Sequence, residues 1–303
     1  MNKYSFVVNP NAGKGKGEKV LRQLKAQLAE RKLDAKIFLT EKSGHATELA
    51  RNAPSEIVVA VGGDGTVNEV ANALVGSAKT LGIIPAGSGN DLIKSLDIPA
   101  DFAGAFAQII TGKTKHIDCA TVNCKQWQKD SNAGNSHERY FVNGVGIGFD
   151  AAVAERTNKI KFLRGTAVYV LAVFQTLGKY KSPNFTVSLD SNLYESHNLL
   201  IAIGNGRCAG GGFYLTPQAK VDDGLLDVCL IDEMSIPRIL SLMPKVMKGK
   251  HYNVDGVTMK LAKEISVRAE QPFYVHADGE IVGRNVNEVS IRAIEKGLNV
   301  IVG

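Results

Sequence analysis

Three glycine-rich segments, each placed directly after a run of apolar residues, constrain this chain more than any other feature. Asn9-Pro10-Asn11-Ala12-Gly13-Lys14-Gly15-Lys16-Gly17 follows Tyr4–Val8. Gly62-Gly63-Asp64-Gly65-Thr66-Val67-Asn68-Glu69 follows Glu56–Val61, and Pro85-Ala86-Gly87-Ser88-Gly89-Asn90-Asp91 ends the run Thr80–Pro85. The last two runs are almost continuously apolar, as strands buried on both faces are. Ile37–Thr40 reads as a further strand. Before it, Val20, Leu21, Leu24, Leu28 and Leu33 recur near the helical period, with basic and polar residues on the other face. More helices are expected after His45 and over Thr66–Val75. Strands alternating with helices require parallel pairing, so the first part predicts a Rossmann-like α/β layer.

In such a sheet ligands sit outside the carboxyl ends of the strands, where all three glycine segments fall. The first joins backbone N–H groups, a helix N-terminus and two lysines, which is an anion site. It is not a Walker A loop, because Gly-x-x-x-x-Gly-Lys-Ser/Thr is absent. In the second, Thr66 or Asn68 can cap the following helix. Asp64 would be repelled by phosphates unless a divalent metal or a hydroxyl donor stood between them. Each loop alone could be a turn; three at successive strand ends describe a nucleotide pocket.

The pattern changes near residue 114. His116–Val122 and Arg139–Val145 read as strands around a polar loop, Gln126–Glu138. Beyond Asn184 come Phe185–Leu189, Asn198–Gly204, Leu226–Ile231, Glu264–Ala269, Phe273–His276, Glu288–Ala293 and Leu298–Val302. Helices are expected only over Asp150–Asn158, Gly165–Leu177 and Ile236–Lys248. Short strands separated by turn residues predict a β-sandwich. The expected division is therefore 1–122 as an α/β nucleotide-binding domain and 123–303 as a β-sandwich domain.

Composition narrows the class. A hydrophobic fraction of 44% with 22% charged residues is that of a globular protein. The apolar stretch Thr166–Leu177 is too short to span a bilayer, and no secretory signal is expected at the start. Cys119, Cys124, Cys208 and Cys229 contain no C-x-x-C pair and read as reduced, packed thiols. The net charge of +6 is spread without a block of like charges, which argues against a nucleic-acid partner. The expected location is the cytoplasm, with peripheral contact at a membrane left open.

The ordered trio Asn9-Pro10 with Gly13-Lys14-Gly15, Gly62-Gly63-Asp64-Gly65-Thr66-x-Asn68-Glu69 and Pro85-x-Gly87-Ser88-x-Asn90-Asp91 resembles the diacylglycerol kinase catalytic domain family. The likeness continues through Asn143-Gly144-Val145-Gly146-x-Gly148-Phe149-Asp150, Gly204-Asn205-Gly206, Asp222-Asp223-Gly224 and Asp278-Gly279-Glu280. Gly-Gly-Asp-Gly alone also occurs in NAD kinases and phosphofructokinases; the ordered trio is far more specific. Ser88 stands where many members carry Thr, and keeps the hydroxyl. The resemblance implies Mg²⁺-assisted transfer of the ATP γ-phosphate to a lipid hydroxyl, with a nucleotide cleft between an α/β and a β-sandwich domain. It maps nucleotide contacts onto Asn9, Pro10, Asn11, Ala12, Gly13, Thr40, Gly62, Gly63, Asp64, Gly65, Thr66, Val67, Asn68 and Ser88. A magnesium site maps onto Asp223 with main-chain oxygens near Lys220 and Leu225, and a general base onto Glu280.

The residues themselves leave alternatives open. Asp222-Asp223-Gly224 also reads as a solvated turn, and Asp278-Gly279 between apolar-rich runs is a strong hairpin signal. Asp278 therefore competes with Glu280 as the base. His45 and His276, each without a sequence partner, read as structural. Lys159, Lys161, Arg164, Lys179 and Lys181 flank an apolar segment of Val168, Leu171, Ala172, Phe174 and Leu177. A packed helix with solvated ends is favoured there over an interfacial one. The competing functions are an NAD kinase-like or other small-molecule kinase and a catalytically silent nucleotide-binding regulator. Neither the identity of the lipid nor the oligomeric state is readable.

Overall fold

The computed structural model describes residues 3–126, 138–157, 166–178 and 180–303. It divides into two compact units, Met1–Cys119 with Lys296–Gly303, and Ala120–Glu295.

The first unit carries β1 (Tyr4–Val8), α1 (Lys16–Glu30), β2 (Ala35–Leu39), α2 (His45–Arg51), β3 (Ile57–Gly62), α3 (Asp64–Leu74), β4 (Thr80–Pro85), α4 (Asp91–Ser95) and α5 (Phe102–Thr111). The strands pair in parallel in the order β2-β1-β3-β4. Every residue of β1 is buried, as is all of β3 beyond Ile57, which explains their uninterrupted apolar sequence. The α/β expectation holds. The two compact units assign residues 120–122 to the second unit and the tail 296–303 to the first. The last strand pairs in parallel with β4 through Asn299 opposite Thr80 and Val300 opposite Leu81, and so returns to the first unit. Without it the edge of β4 would stand open; with it Leu298, Val300 and Ile301 are buried.

The second unit is antiparallel. It follows β5 (Lys113–Gln126) and comprises β6 (Glu138–Phe141), β7 (Gly144–Gly148), α6 (Phe149–Thr157), α7 (Thr166–Leu177), β8 (Phe185–Leu189), β9 (Asn192–Ser196) and β10 (Asn198–Gly204). Then come β11 (Leu226–Asp232), α8 (Ile236–Met247), β12 (Val257–Ala262), β13 (Glu264–Ala277) and β14 (Glu280–Val302). β7, β10, β11 and β12 are successive neighbours. β13 joins β14 throughout, β8 with its first half and β7 with its second. The period of two sorts side chains to two cores. Val145, Ile147, Ile201, Ile203, Val228 and Leu230 face the sandwich interior, whereas Leu200, Ala202, Cys229 and Ile231 face α6, α7 and α8.

Two strands were not anticipated. Both are edge segments: β9 is short, polar and largely exposed, and β12, although Val257, Met259 and Leu261 alternate with Thr258 and Lys260, is only partly buried. Nor was it foreseen that Glu264–Ala269 and Phe273–His276 form one strand. The pairing register shifts between Arg268 and Phe273, which accommodates Pro272. Buried Ala172, Val173 and Leu177 favour the packed-helix reading of α7; Lys159, Lys161, Arg164 and Lys179 lie outside the described residues, as does most of the polar loop after Gln126. Among the described residues no helix is long and apolar enough to cross a membrane.

Candidate functional site

In the first unit the three glycine loops converge. Gly13, at φ +57°, lies so close to the Ala86 carbonyl that a Cβ would collide with it, and the backbones of Gly63 and Gly87 meet at their Cα atoms. Asn9 accepts the Asn11 N–H through Oδ1 at 3.0 Å and donates to the Thr66 hydroxyl at 3.3 Å. Thr40 joins this edge by donating its N–H to the Val8 carbonyl at 2.9 Å. Ser88 and Asn11 are exposed, whereas Ala12, Thr66, Val67 and Asn68 are buried. Pro10 is half-buried at the base of the first loop, where Gly17 lets α1 begin against it.

Asp64 differs from the free loop carboxylate that its sequence context invites. Its Oδ2 accepts the Asn90 N–H at 2.7 Å and its Oδ1 the Asp91 N–H at 2.6 Å. Burial, with Asp91 nearby, pushes its carboxyl up to about 6 despite these hydrogen bonds. Gly65 and Gly62 complete the turn: a Cβ on Gly62 would strike the Thr66 side chain. Glu69, quoted in the motif but given no role, accepts the N–H groups of Gly44 at 2.8 Å and Ala46 at 3.0 Å. It thereby ties the start of α2 to α3.

In the second unit Asp278 (φ +48°) and Gly279 (φ +83°) form the two-residue loop of a β-hairpin, with Ala277 opposite Glu280. Asp278 is buried and its oxygens accept three backbone N–H groups, from Val142 at 3.0 Å, Asn143 at 3.0 Å and Gly144 at 2.8 Å. Glu280 is half-buried and pairs through Oε2 with the Arg139 guanidinium.

Asp223 is exposed, and its Oδ1 accepts the Leu225 N–H at 3.1 Å across Gly224 (φ +74°). Four residues on, burial and the Asp223 charge push Asp227 up to about 6, with the exposed Lys220 opposing them. No cluster of three or more His, Cys, Asp or Glu suited to a metal occurs among the described residues. The carboxylates of Asp223 and Asp227 nevertheless make an oxygen-only donor pair. That pair fits a hard cation which keeps much of its water, as Mg²⁺ does.

A recess unforeseen in the sequence opens between β10, β11 and the three helices of this unit. Phe149, Val173, Leu200, Leu215, Leu242 and Val246 are among its lining residues, Asp150 is its charged member, and its volume is about 60 Å³. Its residues are scattered from 149 to 246, and only the alternation of two-faced strands hinted at it.

An open parallel sheet with glycine loops at its strand ends is thus followed along the chain by an antiparallel sandwich carrying a carboxylate hairpin. The comparisons agree. Residues 3–122 match the diacylglycerol kinase catalytic domain family, and residues 143–302 match the YegS C-terminal NAD kinase beta sandwich-like domain family. This chain thus belongs to the YegS C-terminal NAD kinase beta sandwich-like domain family and carries a match to the diacylglycerol kinase catalytic domain ahead of it. It is 28% identical over 285 residues to a diacylglycerol kinase of Staphylococcus epidermidis, covering 92% of this chain and 86% of that one. It is 29% identical to that of Staphylococcus saprophyticus, covering 92% and 89%. A crystal structure of a candidate diacylglycerol kinase from Bacillus anthracis superposes with a TM-score of 0.78 at 26% identity, covering 100% of this chain and 98% of the other. The match to a kinase catalytic domain implies use of ATP.

Proposed function

We propose that this chain transfers the γ-phosphoryl group of ATP to the hydroxyl of a long-chain lipid. The observation that carries the lipid reading is the recess. Its lining is aliphatic and aromatic save for one buried carboxylate, which suits a hydrocarbon chain with a polar end and not a dinucleotide or a sugar. The curated relatives are named for a lipid acceptor of this kind.

On this reading the loops at Asn9–Gly13, Thr40, Gly62–Asn68 and Ser88 receive the nucleotide, with backbone N–H groups facing its phosphates. Asp64 holds the second and third loops together. Asp223, with main-chain oxygens of Lys220 and Leu225, would hold Mg²⁺, which when bound neutralises phosphate charge. The acceptor's proton goes to Glu280. Asp278 is the weaker candidate, since its oxygens already serve three amides, whereas Glu280 is half-exposed and held by one arginine.

The test is turnover of radiolabelled ATP by the purified protein against a panel containing diacylglycerol, monoacylglycerol, a sphingoid base, a long-chain alcohol and NAD. Labelled product from one or more lipids and none from NAD is expected. Phosphorylation of NAD alone, or of nothing, overturns the proposal.

A further inference from the structure

His276 and Asp150, 126 residues apart, are both almost fully buried, and His276 Nε2 lies 2.9 Å from Asp150 Oδ2. The other ring nitrogen, Nδ1, accepts the backbone N–H of Gly279 at 3.4 Å. Because Nδ1 accepts, it carries no proton, so the proton sits on Nε2 and is donated to Asp150. The ring is thereby held in one orientation by a partner on each nitrogen. The strand opposite makes room for it: Gly146 pairs directly with His276, and a Cβ at 146 would collide with both the imidazole and the Asp150 carboxylate. Asp150 also borders the apolar recess, and Gly279 precedes Glu280. A continuous chain of hydrogen bonds therefore runs from the wall of the recess to the loop that carries Glu280.

We infer that His276 is a positioning residue for phosphoryl transfer: acting through the Gly279 amide, and held in its orientation by Asp150, it fixes the 278–279 loop so that Glu280 stays aimed at the acceptor hydroxyl. The inference rests on the reading of Glu280 as the base. It predicts a separation that simple packing would not produce. In Asn the amide atoms stand where Nδ1 stands, and in Gln they reach where Nε2 stands. His276→Asn thus retains an acceptor for Gly279 and gives up Asp150; His276→Gln does the reverse.

The experiment measures kcat and ATP KM with diacylglycerol in detergent micelles, together with thermal midpoints, for H276N, H276Q, E280Q and the double variant H276Q/E280Q. A misplacement of about 1 Å can cost roughly 10²-fold in rate, so H276Q should lose about 10- to 100-fold in kcat with ATP KM unchanged. H276N should stay within about 3-fold of the parent at a similar thermal midpoint, and H276Q should cost little further in the E280Q background. Equal rates in the Asn and Gln variants, or losses that multiply fully with E280Q, overturn the positioning role. Full rate in E280Q alone overturns the reading of the base instead. The unmutated protein supplies an arm that needs neither variant to fold nor a lipid to turn over: nitrogen NMR of His276 should show Nε2 protonated and Nδ1 bare. The opposite tautomer, or a doubly protonated ring at neutral pH, overturns the inference.

Discussion

The Oδ1 of Asp64 accepts the backbone N–H of Asp91 at 2.6 Å, and Oδ2 takes that of Asn90, so the carboxylate of the second glycine loop holds the third. Asp64→Ala strands two amides and should cost about 1–3 kcal/mol of stability as well as most of the turnover. The cost depends on pH. A carboxyl raised from 3.8 to about 6 contributes stability that is fully present below 3.8 and is lost as pH rises through about 6. The gap in thermal midpoint between parent and variant should accordingly be wider at pH 5 than at pH 8. A gap that widens toward pH 8 would show that Asp64 is stabilised as an anion.

Asp227 gives a second pH-dependent expectation. It too is raised to about 6, by burial and by Asp223, so its contribution to stability is lost as pH rises through that value. A cation held by Asp223 would relieve the repulsion. Magnesium should raise the thermal midpoint more at pH 8 than at pH 5, and Asp227→Asn should flatten that difference. Asp223→Asn should raise the magnesium concentration needed for the effect several-fold, because an amide oxygen binds a hard cation less well. A magnesium response indifferent to both substitutions would remove the cation from this turn.

The hairpin separates chemistry from structure. Glu280→Gln keeps the size of the side chain and removes the basic oxygen, so turnover should fall about 10²–10⁴-fold while the thermal midpoint and ATP affinity barely move. Asp278→Asn exchanges one acceptor oxygen for an amide facing backbone donors and should lower stability by about 1–3 kcal/mol. Paired turnover and melting measurements decide between them. A stable Asp278→Asn variant with no activity, beside an active Glu280→Gln, would make Asp278 the base.

What the sequence disclosed and what it hid follow from how far each feature reaches along the chain. β1, β4, β8 and β10 were placed to the residue because their apolar runs are bounded by turn residues, a local signal. The Asp278-Gly279 loop was legible for the same reason: only a few residue types adopt positive φ at both positions. The return of Asn299 and Val300 to β4 was not, since nothing local in a strand names its partner across more than 200 residues. His276 looked structural because its partner, Asp150, lies 126 positions away, and the one cue was a glycine at 146 whose need for space appears only when the strands pair. The motif loops announced a nucleotide, but that Asp64 spends both oxygens on Asn90 and Asp91 required the loops to be folded together.

The recess should reveal itself through chain length. The recess, at about 60 Å³, holds about five water-sized groups at roughly 10–15 Å³ each, so it takes a short stretch of one chain, on the order of five carbons. Burying each methylene from water contributes about 0.8 kcal/mol, equivalent to roughly a 4-fold fall in KM per added carbon for acceptors dispersed as monomers. A series of short-chain monoacylglycerols below their micelle concentrations measures that slope. Leu242, buried in the wall on α8, offers the means to block it. Leu242→Trp fills the space at a cost of about 1–3 kcal/mol in stability, to be checked by melting. The variant should keep its ATP KM and lose the dependence on chain length, with the longest acceptors suffering most. If its slope matches that of the parent, the hydrocarbon chain binds elsewhere and the recess is a packing defect beneath three helices.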